Sequence, residues 1–442
     1  MEKVDSIICG DYVLTMNEGL EVINKGAIAV KGASIIDVGG ADFIFRNYKS
    51  DNVIEGKDKA VLPGLVNTHC HAPMVYFRGL ADDLPLREWL EKHIWPAESR
   101  WLSHEFVYDA TELACLEMLK MGVTLYNDMY FFGDSAAAAS RALGIRAVLG
   151  AGIIDFPTVA GKTVDEYLDN AERFIGKWKG DRLILTSIAP HAAHTCSPDT
   201  LRKSKALADR LDVPLHMHLS ETRWEVDDII SRYGKKPVEH LESLGLLDER
   251  LIAAHCVHVD DAEIDILAKR KTGVSHCIES NLKLASGIAP VPRMLSAGVR
   301  VTFGTDGAAS NNDLNILSEM STAAKLHKAI AQDPTVLDSK TVLLMATRWG
   351  AEALGLGNKI GSIEKWKAAD VIVIDLKRPH LTPLYDIYSH IVYSAMASDV
   401  ETVVIDGQPL IRNGSHVSGR EEAILQKARE WQTRIAVSNS HH

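Results

Sequence analysis

Eight short apolar runs between residues 62 and 306 constrain this chain more than any other feature. They are LPGLVNTH (62–69), VTLYND (123–128), RAVLGAG (146–152), LILTSIAPH (183–191), VPLHMH (213–218), LIAAHC (251–256), GVSHC (273–277) and VRVTFGTD (299–306). Amphipathic stretches separate most of them, TVDEYLDNAERFIGKWKG among them, and another, LNILSEMSTAAKLHKAI, follows the last. Runs that are apolar throughout, rather than alternating, fit strands of a parallel sheet covered on both faces. Eight such strands alternating with helices predict an α/β fold, a (β/α)8 barrel of the TIM type, which takes about 250 residues. An open doubly wound sheet is the alternative, but no glycine-rich phosphate loop follows an early strand.

The two ends of the chain read differently. DSIICGDYVLTMN and GAIAVKGASIIDVGG near the start, and ADVIVIDL (369–376) and ETVVIDGQPLIRNG (401–414) near the end, are β-rich pieces punctuated by turn residues. They read as hairpins of an antiparallel sheet. The expected organisation is a small discontinuous β-sandwich domain, 1–62 with 361–442, and a barrel at 63–360.

Net charge is −11, and no basic run offsets it, which argues against wrapping nucleic acid. The opening MEKVDSIICGDYVLTMN lacks the apolar core of a signal peptide, and no apolar run is long enough to span a bilayer. Six cysteines without framework spacing suggest reduced thiols, hence a cytoplasmic setting.

Polar residues gather where a barrel carries its active site. His69, His71, His191, His218, His255, His276 and Asp306 all lie at or just past the C-terminal ends of the apolar runs. In LVNTHCH, His69 and His71 are two apart, so in a strand both rings face one side while Cys70 faces the other. Alone, such a pair is a weak signal, better explained by partly buried, hydrogen-bonded structural histidines. HMHLSE adds His218, with His216 on the same strand face but farther from the strand end, and Glu221 three residues on. TFGTDGAASNN adds Asp306, followed by small residues that allow close approach. Three imidazoles and one carboxylate suit a single divalent ion, Zn²⁺ or alternatively Fe²⁺, with one open position for water. An ion of that kind lowers the pKa of its water toward about 7. Hydrolysis then needs proton handling: Asp306 to take the water proton, Glu221 to carry a proton to a ring nitrogen or leaving group, His255 to hold the attacking water. The bland readings are an exposed loop carboxylate for Glu221, a supporting hydrogen bonder for His255 and a helix N-cap for Asp306. His441 and His442 at the end of the chain are left out of the metal argument.

HCH at 69–71, HLSET at 218–222, AAHCVH at 253–258, SHCIESNLKLASGIAPV at 275–291 and GTDGAASNN at 304–312 together resemble the amidohydrolase superfamily. Within it they resemble the 5'-methylthioadenosine/S-adenosylhomocysteine deaminases, as do FRGLADDLPLREWLEKHIWPAE (77–98) and NDMYFF (127–132). The resemblance implies one metal held by His69, His71, His218 and Asp306, and no carbamylated lysine; the fourth run contains no Lys. It implies hydrolytic deamination at C6 of an adenine ring, with Glu221 protonating the ring and ammonia leaving. It places Glu98 on the ribose hydroxyls, where a carboxylate accepts from a diol, and His191 on the ribose or base. Trp89 and Leu84 are candidates for the wall around a thioether end. It also implies a small-molecule nucleoside substrate and a homo-oligomer.

Three departures stand out. Family members can grip the homocysteine carboxylate with arginines after the third strand, but here that segment reads GAGIIDFPTVAGK, with Lys162 its only cation. A lone lysine lacks the bidentate fork of arginine, which favours methylthioadenosine or adenosine over S-adenosylhomocysteine. His194 stands where an aromatic is expected, and Glu279 where some relatives have a small residue. Deamination or hydrolysis of another heterocycle, guanine or an s-triazine, is the alternative chemistry, and a non-catalytic metal-binding protein the alternative class.

Overall fold

The computed structural model describes residues 1–439, so His441 and His442 lie outside the described residues. Each of the eight runs contributes a strand: β1 Leu65–Cys70, β2 Val123–Tyr130, β3 Arg146–Ile153, β4 Ile184–Pro190, β5 Leu215–Leu219, β6 Leu251–His255, β7 Gly273–His276 and β8 Val301–Phe303. They form one eight-stranded sheet in sequence order. The pairings resolved from β3 to β8 are all parallel. The last strand returns to the first. Thr68 Oγ1 donates to Phe303 O at 2.8 Å and Asp306 N–H donates to His69 O at 3.0 Å. This is the predicted barrel, and every strand residue in β1 and β2 is buried.

Two compact units are distinguished. One comprises Met1–Val66, Leu116–Leu125 and Asn315–Gly419; the other comprises Asn67–Cys115, Tyr126–Leu314 and the chain from Arg420 on. The first holds a nine-stranded sheet built from both ends of the chain. The expected hairpins are there: Ser6–Leu14 pairs antiparallel with Val22–Lys31, and Val400–Ile405 with Gln408–Arg412. The sheet is mixed rather than purely antiparallel, because Lys59–Pro63 enters between the two halves. It runs antiparallel to Val371–Asp375 and parallel to Ser6–Leu14. Ile8, Val13, Ile28, Val61, Val371, Val373 and Val404 form its buried core. The apolar run 62–69 is thus split between two sheets at Gly64. A side chain there would strike Thr124.

In the second unit the helix Glu421–Asn439 is anchored by Trp431. Its indole N–H donates to Asp109 Oδ2 at 2.8 Å and its ring packs edge-on to Phe106. Among the described residues, no helix is long and apolar enough to cross a membrane.

Candidate active site

The site residues all sit at the C-terminal end of the barrel strands. His69 is the penultimate residue of β1 and His71 lies one residue past it; His218 is in β5, His255 ends β6, and Asp306 follows β8. His255 (φ 72°) and Asp306 (φ 61°) take left-handed backbone conformations that only a minority of non-glycine residues adopt. Such strain clusters where a side chain must be aimed against local preference. At Gly304, just before Asp306, a Cβ would lie 2.8 Å from that of His69, so only glycine lets β8 close onto β1 here.

Hydrogen bonds orient the three imidazoles, and for two of them a carbonyl fixes which nitrogen carries hydrogen. His71 Nδ1 lies 2.6 Å from Met129 O, and His218 Nδ1 lies 2.9 Å from His191 O. A carbonyl oxygen can only accept, so both rings carry hydrogen on Nδ1 and, when neutral, none on Nε2. Yet the two Nε2 atoms are 3.2 Å apart. His69 Nδ1 is 2.8 Å from His216 Nε2, and its own Nε2 is buried with no hydrogen-bond partner. Asp306 Oδ1 lies 3.4 Å from His69 Nε2 and 3.2 Å from His71 Nε2. Lone pairs brought together this closely repel unless a positive charge sits among them. The ligand atoms of His69, His71, His218 and Asp306 lie within 4.8 Å of one another. This donor set fits a divalent ion.

Charges in the cluster agree. Burial would raise Asp306, but the His69 and His71 imidazoles outweigh it and hold its carboxyl well below the usual range. Burial pushes His69 well down and His218 down to about 3. Burial also opposes charge on His71, but the Asp306 carboxylate overrides it and raises that ring to about 9. His69, His255 and Cys277 form a second close set. His69 belongs to both sets, and its Nδ1 is engaged by His216, so the two sets share the one donor Nε2.

Glu221 and His255 face the same point. Glu221 Oε2 is 3.7 Å from His255 Nε2, and Glu221 Oε1 accepts from Ser286 Oγ at 3.3 Å. Burial raises the Glu221 carboxyl above its ordinary range, even with His255 pulling it the other way. The loop carrying Glu221 is held by a residue that sequence reasoning passed over. Buried Glu225 accepts the Ser220 N–H at 3.1 Å and the Glu221 N–H at 2.8 Å. Thr222 caps the helix Arg223–Tyr233 by accepting from Glu225 N–H. The Thr-x-x-Glu spacing is a helix-start signal, readable in TRWE.

A cavity of about 1050 Å³ opens above the cluster. His71, Glu98, His191, His218, Glu221, His255 and Asp306 all line it. Glu98 accepts from Tyr130 Oη at 2.7 Å, and burial outweighs that bond, raising its carboxyl to about 7. His191 Nδ1 pairs with Thr195 Oγ1 at 2.9 Å. Trp89 and Leu84 line the same space. So does His194, whose ring meets Trp224 edge-on; Glu279, in the helix Ile278–Lys283, is not among the lining residues. Lys162 is exposed and bonds Thr158 O instead of facing the cavity. The cavity nevertheless has cations from other elements: Arg87, stacked over Trp224, together with Arg223 and Arg232. A reading confined to the segment after β3 could not find them.

Residues 60–410 match the model of the Amidohydrolase family. A protein of Thermodesulfovibrio yellowstonii described as 5-methylthioadenosine/S-adenosylhomocysteine deaminase is 54% identical over 431 residues, covering 97% of this chain and 98% of its own. A protein of Methanosarcina acetivorans described as 5'-deoxyadenosine deaminase is 46% identical over 429 residues, covering 96% and 97%. The crystal structure of an adenosine deaminase from Xanthomonas campestris with bound zinc superposes with a TM-score of 0.97 at 42% identity, covering 99% of both chains. With a family match across most of its length, over a barrel whose mouth brings together three histidines and an aspartate, this chain belongs to the amidohydrolase family.

Proposed function

We propose that this chain is a metal-dependent hydrolytic deaminase of adenosine-type nucleosides. It converts 5'-methylthioadenosine and water to 5'-methylthioinosine and ammonia, with adenosine and S-adenosylhomocysteine as further substrates. The observation that carries the reading is the convergence of three imidazoles and the Asp306 carboxylate, their ligand atoms within 4.8 Å of one another, with the Glu221–His255 pair beside them. His69, His71, His218 and Asp306 would hold one Zn²⁺ per subunit in the barrel at 63–360. When bound, the ion supplies Lewis acidity and lowers the pKa of a water at its open position.

The remaining steps fall to side chains. His255 Nε2 accepts a hydrogen bond from the attacking water and orients it toward C6. Asp306 takes the water's proton, its Oδ2 held meanwhile by Ser280 Oγ at 2.7 Å and Ser310 Oγ at 2.8 Å. Glu221, whose carboxyl burial shifts toward the protonated form, delivers a proton to the ring nitrogen next to C6; the proton held by Asp306 passes to the amino group, which leaves as ammonia, and the hydroxyl proton released as the C6 carbonyl forms restores Glu221. Glu98 accepts the ribose hydroxyls, with His191 beside them. We place the enzyme in the cytoplasm as a homo-oligomer.

Three nucleosides compared side by side test the reading. Loss of adenine absorbance should give kcat/KM in the order methylthioadenosine, adenosine, S-adenosylhomocysteine. An S-adenosylhomocysteine value equal to the first would show that Arg87, Arg223 or Arg232 replaces the arginines missing after β3. No turnover of any of the three, with guanine accepted, would end the nucleoside assignment.

Glu98→Gln should raise KM for ribosides by about 10-fold or more, because an amide accepts at one atom where a carboxylate accepts at two and carries charge. Glu98 ionises near 7. The wild-type kcat/KM should therefore climb as pH rises through about 7 and Glu98 gains its charge. That inflection should be absent from the Glu98→Gln profile.

A further inference from the structure

The short helix Ile278–Lys283, which follows β7, inserts two adjacent polar residues into the barrel mouth. Ser280 and Asn281 are fully buried. Ser280 Oγ donates to Asp306 Oδ2 at 2.7 Å, and Asn281 Oδ1 sits 2.9 Å from His255 Nδ1. One dipeptide therefore touches two of the three groups assigned to proton handling, on two neighbouring sides of the barrel.

We propose that Asn281 is a positioning residue whose side-chain oxygen holds His255 in the tautomer with hydrogen on Nδ1, keeping Nε2 an open acceptor for the attacking water. This rests on the deaminase reading above. A carboxamide oxygen only accepts, so the ring hydrogen must lie on the Nδ1 side. His255 Nε2 is then bare, and it has no hydrogen-bond partner in the protein. It points toward Glu221 Oε2 at 3.7 Å, a gap too long for a direct bond. The reversed amide would set its NH₂ against Nδ1 and move the ring hydrogen to Nε2. His255 would then donate toward Glu221 and could no longer accept from water. Ser280 acts in parallel. By occupying Asp306 Oδ2 it leaves Oδ1 for the imidazoles, which lie 3.4 and 3.2 Å away. A supporting contact of this kind typically changes activity or metal affinity by about 10–100-fold.

The test is ring-nitrogen NMR on zinc-loaded protein labelled with ¹⁵N-histidine, the His255 signals being assigned by their loss in His255→Asn. The wild type should show hydrogen on Nδ1 and a bare Nε2. Asn281→Ala should lose that signature and lower kcat by about 10–100-fold, with KM and zinc content unchanged. Asn281→Asp keeps an accepting oxygen in place and should retain hydrogen on Nδ1. A wild-type signal with hydrogen on Nε2 overturns the proposal, as does an Ala variant with unaltered ring signals and kcat. If the Ala variant does not fold, the wild-type and Asp spectra decide. The tautomer is read whether or not a nucleoside turns over, so failure of the deaminase reading remains distinguishable from failure of this one.

Discussion

Glu221→Gln lowers kcat on methylthioadenosine by about 10³-fold, within the 10²–10⁴ range for a positioned general acid–base. Glutamine matches glutamate in size and keeps an oxygen for Ser286 Oγ, 3.3 Å away. The Ser220 and Glu221 N–H bonds to Glu225 are main-chain bonds that the substitution leaves intact. Geometry therefore survives and only the ability to carry a proton is lost, so the fall should lie in kcat rather than KM. Steady-state kinetics at matched metal content measures it. A variant that keeps pace with the wild type would remove Glu221 from the proton path.

Stripping the metal with a chelator abolishes turnover, by at least about 10³-fold, while the barrel stays folded. The lost chemistry is Lewis acidity and an activated water, which no side chain in the cavity replaces. The fold survives because its core is large: β1 and β2 alone are buried at every residue, without any contribution from an ion. Far-UV circular dichroism should be unchanged, and the melting temperature should rise on adding Zn²⁺ back, by the linkage that gives about 4 kcal/mol at 1,000 times Kd. Ion and proton compete for the Nε2 atoms, so metal affinity should weaken as pH is lowered. Full activity in protein verified as metal-free would overturn the mechanism.

Much of this was open to inspection in the residue order. All eight barrel strands coincide with apolar runs, because strands buried on both faces must be apolar along their length. The spacing of His69 and His71, and the place of His218, Glu221, His255 and Asp306 at or past run ends, put them at one end of the barrel. Each of these is a local property, a matter of residue type and period. Lys59–Pro63 was hidden because Pro63 and Gly64 interrupt an apolar run that looks continuous; which sheet each half joins depends on partners hundreds of residues away, Val371–Asp375 among them. The cavity arginines arrive from helices on other sides of the barrel, so no single segment announces them.

Chemistry at the centre was decided only in three dimensions. His71 turns Nε2 to the cluster because Met129 O, from the next strand, claims Nδ1; His218 turns Nε2 there because His191 O does the same. His216 engages His69 across 147 residues of sequence, and Asn281 engages His255 across 26. An imidazole offers two similar nitrogens, and the one that faces the reaction is whichever its neighbours leave without a partner. Sequence determined which residues reach the mouth of the barrel; tertiary structure decided which atom each presents, because hydrogen-bond partners are set by the register between strands and not by order along the chain.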